Sequence, residues 1–387
     1  PSSNIVGIKI SPSITTQPNI ITNNKIGNIN ATTGGAAAEA ASFAGILCVD
    51  NKSIIRNNII GDTLSITPSI TILADEIYGI LSYGSQDIEI NGNIISGLKN
   101  NGINGAIRLY GIYQSNVKDG LGVATAATKI QNNKIFNLNN TLNTSAINSS
   151  VPDDMGGTAG IYVRAGAANL IERNEIHNLS VTNGHISGIA YSGGPATSDT
   201  TFIQRNNIYD LSNTSSQIGS CCGDDLYNGI INGIGINRGG SPLEIVNNRI
   251  SITNRGLPTP ASIRGIFEAY REQGSTVPTQ RILYNSVYIG GTATDNGGSA
   301  GYFTLYSSVK YVYNNIFYTD RTGGTKGHYA YRFVGNSKDL YPKKGNNNLY
   351  VLPDTSLFAD RGNNFYSNFA QWRVLAHSDS ASYFTSP

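Results

Sequence analysis

The residues best suited to catalysis form a short cluster in the third quarter of the chain. Arg264, Glu268, Tyr270 and Arg271 fall within one short stretch, and Arg238 lies one repeat earlier. A base next to an arginine is what a polysaccharide lyase requires, because the cation neutralises a uronate while the base removes a proton. The cluster therefore defines a candidate lyase-like or sugar-binding site.

A second, smaller cluster pairs Arg164 with Tyr191. Polysaccharide hydrolases need two carboxylates at a defined separation, and neither cluster contains a repeated acid pair. The alternation of side chains along the strand also predicts that Glu268 points inward. No Gly-x-Ser-x-Gly motif, P-loop or histidine-based triad is present in the sequence. We therefore assign no catalytic residue and favour a non-enzymatic function.

Two candidate loops each carry a pair of adjacent acids, Asp153-Asp154 and Asp224-Asp225. Two repeats separate the pairs, which corresponds to roughly 10 Å if each repeat advances ~4.8 Å. Carboxylates of this kind either solvate a turn or bind a hard cation, of which calcium is the best match. We expect no other cofactor, because the four histidines and three cysteines show no zinc-like spacing.

Composition excludes several classes of protein. Charged residues make up 13% of the chain and the formal net charge is +2, which is too small a field to attract nucleic acid. The sequence contains no apolar run of the ~20 residues that a transmembrane helix needs. Cys48, Cys221 and Cys222 are too few for a disulfide framework. The chain begins at Pro1 rather than Met, and we expect it to be a segment of a longer protein.

An internal repeat organises almost the whole sequence. Its core is an isoleucine, then an asparagine three residues later, then an apolar residue two further on. The repeated asparagines are Asn24, Asn58, Asn93, Asn133, Asn174, Asn206, Asn248, Asn285, Asn314 and Asn347. The period of about 36 residues is typical of a solenoid, in which stacked units bury one continuous core.

A glycine followed by an apolar residue alternates with the asparagine motif, as in Gly111-Ile112 and Gly160-Ile161. Since alternate strand residues face opposite sides, the residue after this inward one should point outward. That outward row includes Tyr113, Tyr162, Phe267 and Phe303. Such a row, together with Arg164 and Arg264, would bind sugar rings or a partner surface unless the long loops cover it.

These features predict an all-β protein, a right-handed parallel β-helix of about ten coils that spans residues 1–350. Copies that run in the same direction must pair in parallel, and parallel crossovers are nearly always right-handed. A leucine-rich-repeat horseshoe fits less well, because leucine is scarce and no helical stripe separates the strands. Residues 351–387 should form a C-terminal cap or linker with a short helix.

The repeated asparagines have a predicted structural function. At one bend of every coil, each side-chain amide can donate a hydrogen bond to the next asparagine and accept one from the last. Asparagine also tolerates the left-handed backbone of a sharp corner. We therefore expect a continuous asparagine ladder along the solenoid.

The repeat resembles the right-handed parallel β-helix proteins of the pectate-lyase-like superfamily over residues 4 to about 350. Two copies that carry the resemblance are Ile130-Gln131-Asn132-Asn133-Lys134-Ile135 and Ile203-Gln204-Arg205-Asn206-Asn207-Ile208. That superfamily includes lyases, glycosidases, epimerases, phage tailspikes and bacterial adhesins. The resemblance therefore implies a fold and leaves the activity open.

The C-terminal segment resembles the end of β-helix modules in very large secreted surface proteins of Bacteroidota. The matching residues are Asn346-Asn347-Asn348-Leu349-Tyr350, Phe369-Ala370-Gln371-Trp372 and Ser378-Asp379-Ser380. In those modules an Asn-Leu-Tyr strand precedes a short Trp-bearing helix and an Asp-x-x-Ser turn. Ser367 is the predicted N-cap of this helix. The resemblance implies an extracellular location at the bacterial cell surface.

We therefore expect a non-enzymatic, rigid segment of a large extracellular surface protein, used for adhesion or filament structure. The alternative is a polysaccharide-binding or polysaccharide-cleaving module of the lyase or glycosidase type. Expected partners are surface glycans, or other copies of the chain or its parent protein. A homo-oligomer joined through the solenoid ends or the aromatic row is a third hypothesis. Neither nucleic acid nor membrane insertion is expected.

Overall fold

The fold is known from a computed structural model that describes most of the chain. The described residues are 4–11, 17–31, 42–50, 52–62, 69–72, 76–84, 86–101, 108–115, 126–141, 157–164, 167–182, 184–193, 199–215, 218–221, 225–237, 241–269, 279–305, 309–333, 344–353, 358–361, 364–366, 369–376 and 378–386.

Three long sheets run along the molecule. Sheet 1 contains, in order, Asn4–Ile10, Ser42–Val49, Glu76–Tyr83, Arg108–Ser115, Thr158–Arg164, His185–Ser192, Ile230–Asn237, Ser262–Ala269, Ser299–Thr304, His328–Phe333, Ala359–Arg361 and Asn364–Tyr366. Sheet 2 contains Asn19–Thr22, Ser53–Arg56, Ile88–Asn91, Ala127–Gln131, Ala167–Glu172, Thr201–Gln204, Leu243–Val246, Thr279–Leu283, Val309–Tyr313 and Lys344–Asn346.

Sheet 3 completes each turn of the chain. Its strands are Lys25–Ile26, Ile59–Ile60, Ile94–Asn100, Lys134–Asn140, Glu175–Val181, Asn207–Asn213, Arg249–Ile252, Ser286–Ile289, Ile316–Thr319, Leu349–Val351 and Tyr383–Thr385, with Ile29–Ala31 and Ile70–Ile72 beside the path. Two small sheets pair Ile218–Cys221 with Asp225–Asn228 and Thr292–Ala293 with Thr322–Gly323. A 3₁₀ turn spans Asn254–Gly256, and the helix α1 spans Phe369–Ala376.

The chain is a parallel β-helix, as the repeat predicted. It visits sheet 2, sheet 3 and sheet 1 in turn, and each strand pairs in parallel with its copy in the next coil. Ile90, for example, lies in register with Ile55 on one side and Ile130 on the other. The ten strands of sheet 2 give one strand per coil, so the predicted number of coils is confirmed.

The interior is a column of stacked isoleucines. Ile55, Ile90, Ile130, Ile171 and Ile203 occupy successive coils in register and are fully buried. Burying each such side chain stabilises the fold by roughly 1.5–3 kcal/mol. The motif isoleucine is therefore explained by packing between coils.

The repeated glycine of sheet 1 allows two sheets to approach closely. A Cβ atom on Gly160 would lie 2.5 Å from Cγ2 of Ile176 in sheet 3 and 2.8 Å from the carbonyl oxygen of Gly188 in the next coil. Both distances are too short for any side chain. Glycine is thus required because sheet 3 packs its isoleucines against the backbone of sheet 1.

The predicted asparagine ladder is present. Both the backbone N–H and the Nδ2 of Asn133 donate to Oδ1 of Asn174, at 3.1 and 3.0 Å. The second Nδ2 proton of Asn133 goes to the carbonyl of Ile90 at 3.0 Å. Each amide therefore binds the next coil and the previous one. The ladder runs through Asn24, Asn58, Asn93, Asn133, Asn174, Asn206, Asn248, Asn285, Asn315 and Asn348.

The ladder positions predicted in the last two coils are wrong by one residue. Asn314 and Asn347 precede the ladder residues Asn315 and Asn348, and their backbones are left-handed with φ of 57° and 55°. In every coil the left-handed corner lies one residue before the ladder, as at Asn132 with φ 54°. The amide that stacks and the residue that turns are thus different residues.

The C-terminal segment ends the ladder. Asp379 accepts hydrogen bonds from Nδ2 of Asn348 at 2.9 Å and from Nε1 of the buried Trp372 at 2.9 Å. The backbone N–H of Asn348 donates to the hydroxyl of Ser382 at 2.9 Å. The Asp-x-x-Ser turn therefore replaces the missing eleventh asparagine. The predicted N-cap Ser367 lies outside the described residues.

The predicted boundary at residue 350 does not interrupt the sheets. Ala359–Arg361 pairs in parallel with His328–Phe333 of sheet 1, and Tyr383–Thr385 pairs in parallel with Leu349–Val351 of sheet 3. Helix α1 is the short helix predicted for this segment. No helix in the described part of the chain combines the length and the apolar character needed to cross a bilayer.

Candidate functional site

The predicted outward row lies on the outer face of sheet 1. Tyr113 is in register with Tyr162, and their parallel rings stack at 5.2 Å. Phe267 is in register with Phe303, and their ring centroids are 5.4 Å apart. These side chains belong to an apolar cluster separate from the interior core.

The outer row is not an open groove. Tyr162, Phe267 and Phe303 are buried, and Tyr113 is half-buried. Of the six residues proposed for a ligand face, Arg164 is the exposed one and Arg264 is buried to 2% exposure. The aromatic side chains therefore act mainly as a second core against the outer side of the sheet.

Two arginines pack on the rings of this row. The guanidinium of Arg264 lies 4.1 Å from the ring centroid of Phe267 and 4.6 Å from that of Phe303. The guanidinium of Arg332, which is in register with Phe303, lies 4.9 Å from the same ring. Each contact is a cation–π interaction, which is worth more when it is desolvated.

A small pocket opens between these groups. Its cavity volume is about 10 Å³, room for roughly one water molecule. Its walls are formed by Ser262, Ile263, Arg264, Gly298, Ser299, Ala300, Phe303 and Arg332. One wall residue, Ser299, is hydrogen-bonded to His328 of the following coil at 2.9 Å. Arg264, Phe303 and Arg332 belong to the outer side of sheet 1, whereas Ser299 and His328 share the register column of the interior residue Ile263, so the serine–histidine pair is separate from the arginines.

Glu268 does not belong to this site, because it points into the solenoid as its strand phase predicts. Its carboxylate lies 3.7 Å from Nζ of Lys310 and accepts a 2.5 Å hydrogen bond from the hydroxyl of Tyr302. All three side chains are buried. Burial and the charge of Glu268 raise the pKa of Tyr302 well above its ordinary value. Arg238, Tyr270 and Arg271 lie outside the described residues.

The smaller predicted cluster is not brought together. Arg164 is in register with Ser192, whereas Tyr191 is in register with Val163, so the two side chains face opposite sides of sheet 1. Tyr191 is buried in the interior, where its hydroxyl lies 3.2 Å from the Thr201 hydroxyl. Strand alternation separates residues that the sequence alone had grouped.

The predicted calcium ligands are described only in part. Asp153, Asp154 and Asp224 lie outside the described residues, and for Asp225 the structure gives only its backbone, at the start of Asp225–Asn228. Among the described residues, no group of three or more His, Cys, Asp or Glu side chains could hold a metal ion. Calcium binding at these loops stays a prediction.

A buried histidine flanks the arginine site and should make stability depend on pH. Burial, with a smaller effect from Arg264, lowers the pKa of His185 to about 4. The pKa of a histidine in the unfolded chain is about 6.5. Between pH 6.5 and pH 4 the unfolded chain therefore binds a proton on His185 that the folded chain does not. The protein should therefore keep the full stabilisation from a neutral His185 above pH 6.5. Acidification to pH 4 should lower its free energy of unfolding by about 3 kcal/mol.

Urea unfolding of the protein and a His185→Gln variant at pH 7 and pH 4 measures this effect. Burial also lowers the pKa of His177 and His328, and those effects persist in both proteins. The variant should lose less stability on acidification than the parent protein, by about 3 kcal/mol. Equal losses would show that His185 does not titrate in this way.

Comparison of the chain with protein-family models, with curated proteins and with solved structures finds no match in any of the three. The class of the molecule therefore rests on its own geometry, which is that of a parallel β-helix with a buried asparagine ladder.

Proposed function

We propose that the chain is a rigid, non-enzymatic segment of a large extracellular surface protein, used for adhesion or filament structure. The observation that carries the proposal is the unbroken ladder, because every coil is tied to the next by side-chain amides as well as by three sheets. Bending such a rod must break buried hydrogen bonds, each costing about 1–3 kcal/mol. Stiffness is the property that a stalk or filament requires.

The C-terminal cap also supports this proposal. Asp379, Ser382 and Trp372 close the ladder and hold its last coil to the segment that follows it, so the amide network extends over every coil that carries a ladder asparagine.

Rigidity can be tested by distances between spin labels placed in one column of sheet 3. Lys25, Arg249 and Ser286 are exposed and share one register column. Labels at Lys25 and Arg249 are six coils apart, or ~29 Å, and labels at Lys25 and Ser286 are seven coils apart, or ~34 Å. Electron–electron resonance should give two narrow distributions that differ by about 5 Å.

The native cysteines are replaced in the labelled proteins, with alanine at the buried Cys48 and serine at Cys221 and Cys222. Broad distributions, or the same mean distance for both pairs, would refute the rigid segment. Location is tested separately by immunogold labelling of intact cells that make the protein. Signal confined to the cell interior would overturn the surface proposal while leaving the stiffness intact.

The polysaccharide-binding or polysaccharide-cleaving alternative is favoured by one observation. Arg264 and Arg332 flank the ring of Phe303 at a pocket that opens to solvent, and a ring next to cations suits an acidic sugar. Binding on a glycan array that is lost in an Arg332→Ala variant would favour this alternative. Release of oligosaccharides by the isolated chain would establish cleavage.

A further inference from the structure

A column of aromatic side chains runs along the outer face of sheet 3 and is interrupted at one coil. Phe136, His177 and Tyr209 occupy successive coils in register, and the residue before each is buried in the core. Neighbouring ring centroids are 5.1 and 4.7 Å apart, and the planes of neighbouring rings agree to within 2°. The next coil has Ser251 at this position, and Tyr288 follows in the coil after it. The column therefore lacks one ring, and this position is called the Ser251 gap.

The Ser251 gap has the height of one flat ring. Each coil advances ~4.8 Å, so the level of Ser251 is that far from the levels of Tyr209 and Tyr288. A ring at this level would lie within the centroid distances of about 4.5–7 Å at which aromatic pairs stack. Ser251 is half-buried, and its side chain is too short to occupy the level of the ring centroids. The gap can therefore accept a ring from outside the chain.

Both tyrosines that bound the gap are held by carboxylates on the sides away from it. The hydroxyl of Tyr209 donates to Oε1 of Glu175 in the preceding coil at 2.7 Å. The hydroxyl of Tyr288 donates to Oδ2 of Asp320, which follows the strand of the next coil, at 3.0 Å. Neither hydroxyl is therefore directed over Ser251. Side chains that are already fixed lose little conformational entropy when a ligand binds.

The charges around the gap leave one cation for a ligand. Arg249 begins the strand that carries the gap, faces outward on it and is exposed. Glu175 in the preceding strands is paired with Lys134 at 3.4 Å. Burial lowers the pKa of Arg255, and the nearby charge of Asp210 opposes that shift, so these two groups offset each other. Arg249 has no acidic partner among the described residues, and its charge is available to an anion.

We propose that the Ser251 gap binds an aromatic carboxylate, with its ring stacked on Tyr209 and its carboxylate paired with Arg249. The flat ring continues the parallel stack that Phe136, His177 and Tyr209 begin, and such stacking adds to the gain from burial alone. A guanidinium and a carboxylate form a charge-assisted hydrogen bond. The inference does not depend on the rigid-segment proposal, because the site needs only the register of three coils.

Titration of the full chain with phenylacetate, followed by NMR of the ligand, tests the proposed chemistry. We expect saturable binding of one molecule per chain. Cyclohexylacetate has the charge without the flat ring, and phenylacetamide has the flat ring without the charge. Each should bind more weakly than phenylacetate by about 3-fold or more. Equal binding of either compound would overturn the assignment of an aromatic carboxylate.

Variants distinguish the Ser251 gap from binding elsewhere on the chain. Ser251→Phe should fill the gap with a ring of the protein and abolish binding, and it should fold because rings occupy this column in neighbouring coils. Ser180→Phe is the control, because Ser180 lies on the same face in an earlier coil but outside the aromatic column. It should bind phenylacetate as the parent protein does.

A third variant keeps the aromatic column intact. Arg249→Met should weaken phenylacetate binding by about 3-fold or more and leave the binding of phenylacetamide unchanged. A folded parent protein that binds no phenylacetate, or binding that persists unchanged in Ser251→Phe or in Arg249→Met, would overturn the proposal.

Discussion

Replacing Asn174 with leucine is expected to lower the free energy of unfolding by about 3 kcal/mol or more. Asn174 lies in the middle of the ladder, where its Oδ1 accepts from both the backbone N–H and Nδ2 of Asn133. Its own Nδ2 donates to the carbonyl of Ile130 at 2.9 Å and to Oδ1 of Asn206 at 2.9 Å. Leucine fills a similar volume but leaves two donors of Asn133 and the Ile130 carbonyl without these partners.

The matched control for this variant is Asn207→Ile. Asn207 begins the sheet 3 strand of the next coil, outside the ladder, and Ile59 and Ile94 occupy its register position in earlier coils. A substitution on this outer column should change stability by no more than about 0.5 kcal/mol. Urea unfolding followed by circular dichroism measures both proteins. Equal stability of the two variants would mean that the ladder amides do not hold the coils together.

The ladder also shows how far the sequence alone could predict this fold. The repeat correctly predicted parallel pairing and the first eight ladder positions. The same isoleucine–asparagine spacing recurs in every coil, and equivalent residues of successive coils meet only if the coils stack. The last two predicted positions are wrong because each of these coils carries adjacent asparagines. The prediction chose the asparagine two residues before an aliphatic residue, which is Ile316 in one coil and Leu349 in the other. The structure buries Phe317 and Tyr350 in their place, and Ile316 is 42% exposed.

The contact between Ser299 and His328 could not be predicted in the same way. Ser299 and His328 are separated by a complete coil and match no sequence motif. They become neighbours only through the register of Ser299–Thr304 with His328–Phe333, and coil lengths vary too much to give that register in advance. A search for serines and histidines at equivalent positions of adjacent repeats is the signal that could have found them.

The outer row illustrates a different limit. Strand alternation correctly predicted that Phe267 and Phe303 leave the interior, since they form a cluster apart from the main core. Alternation carries no information on what lies over that face, so the burial of these rings was open until the structure was known. The direction in which a side chain points is a local property, whereas its exposure depends on the whole chain.

Replacing Lys310 with methionine should destabilise the protein by about 3–5 kcal/mol. Nζ of Lys310 in sheet 2 lies 3.7 Å from Glu268 of sheet 1, and neither side chain has measurable solvent access. Methionine keeps the length and apolar stem of lysine but removes its charge. The Glu268 carboxylate would then remain buried without this cation, and a buried charge without compensation is among the costliest changes in a core.

A second substitution decides whether the loss comes from charge or from packing. In the Lys310→Met, Glu268→Gln double variant no ion remains, and the glutamine can still accept the hydrogen bond from Tyr302. Replacing both members of a buried pair is often nearly neutral, so the double variant should recover most of the lost stability. A double variant as unstable as Lys310→Met would show that packing, not the orphaned carboxylate, causes the loss.

An exposed ion pair on the outer face of sheet 2 supplies the remaining comparison. Arg281 contacts Glu244 at 2.6 Å, and the Arg281 side chain is 47% exposed. Water already solvates both charges, so Arg281→Met should cost less than about 1 kcal/mol. Breaking the Arg281–Glu244 pair should therefore cost less than breaking the Lys310–Glu268 pair, although its charges are closer together. The cost depends on whether the remaining carboxylate is buried or solvated. Equal losses for Arg281→Met and Lys310→Met in urea unfolding would contradict that reasoning.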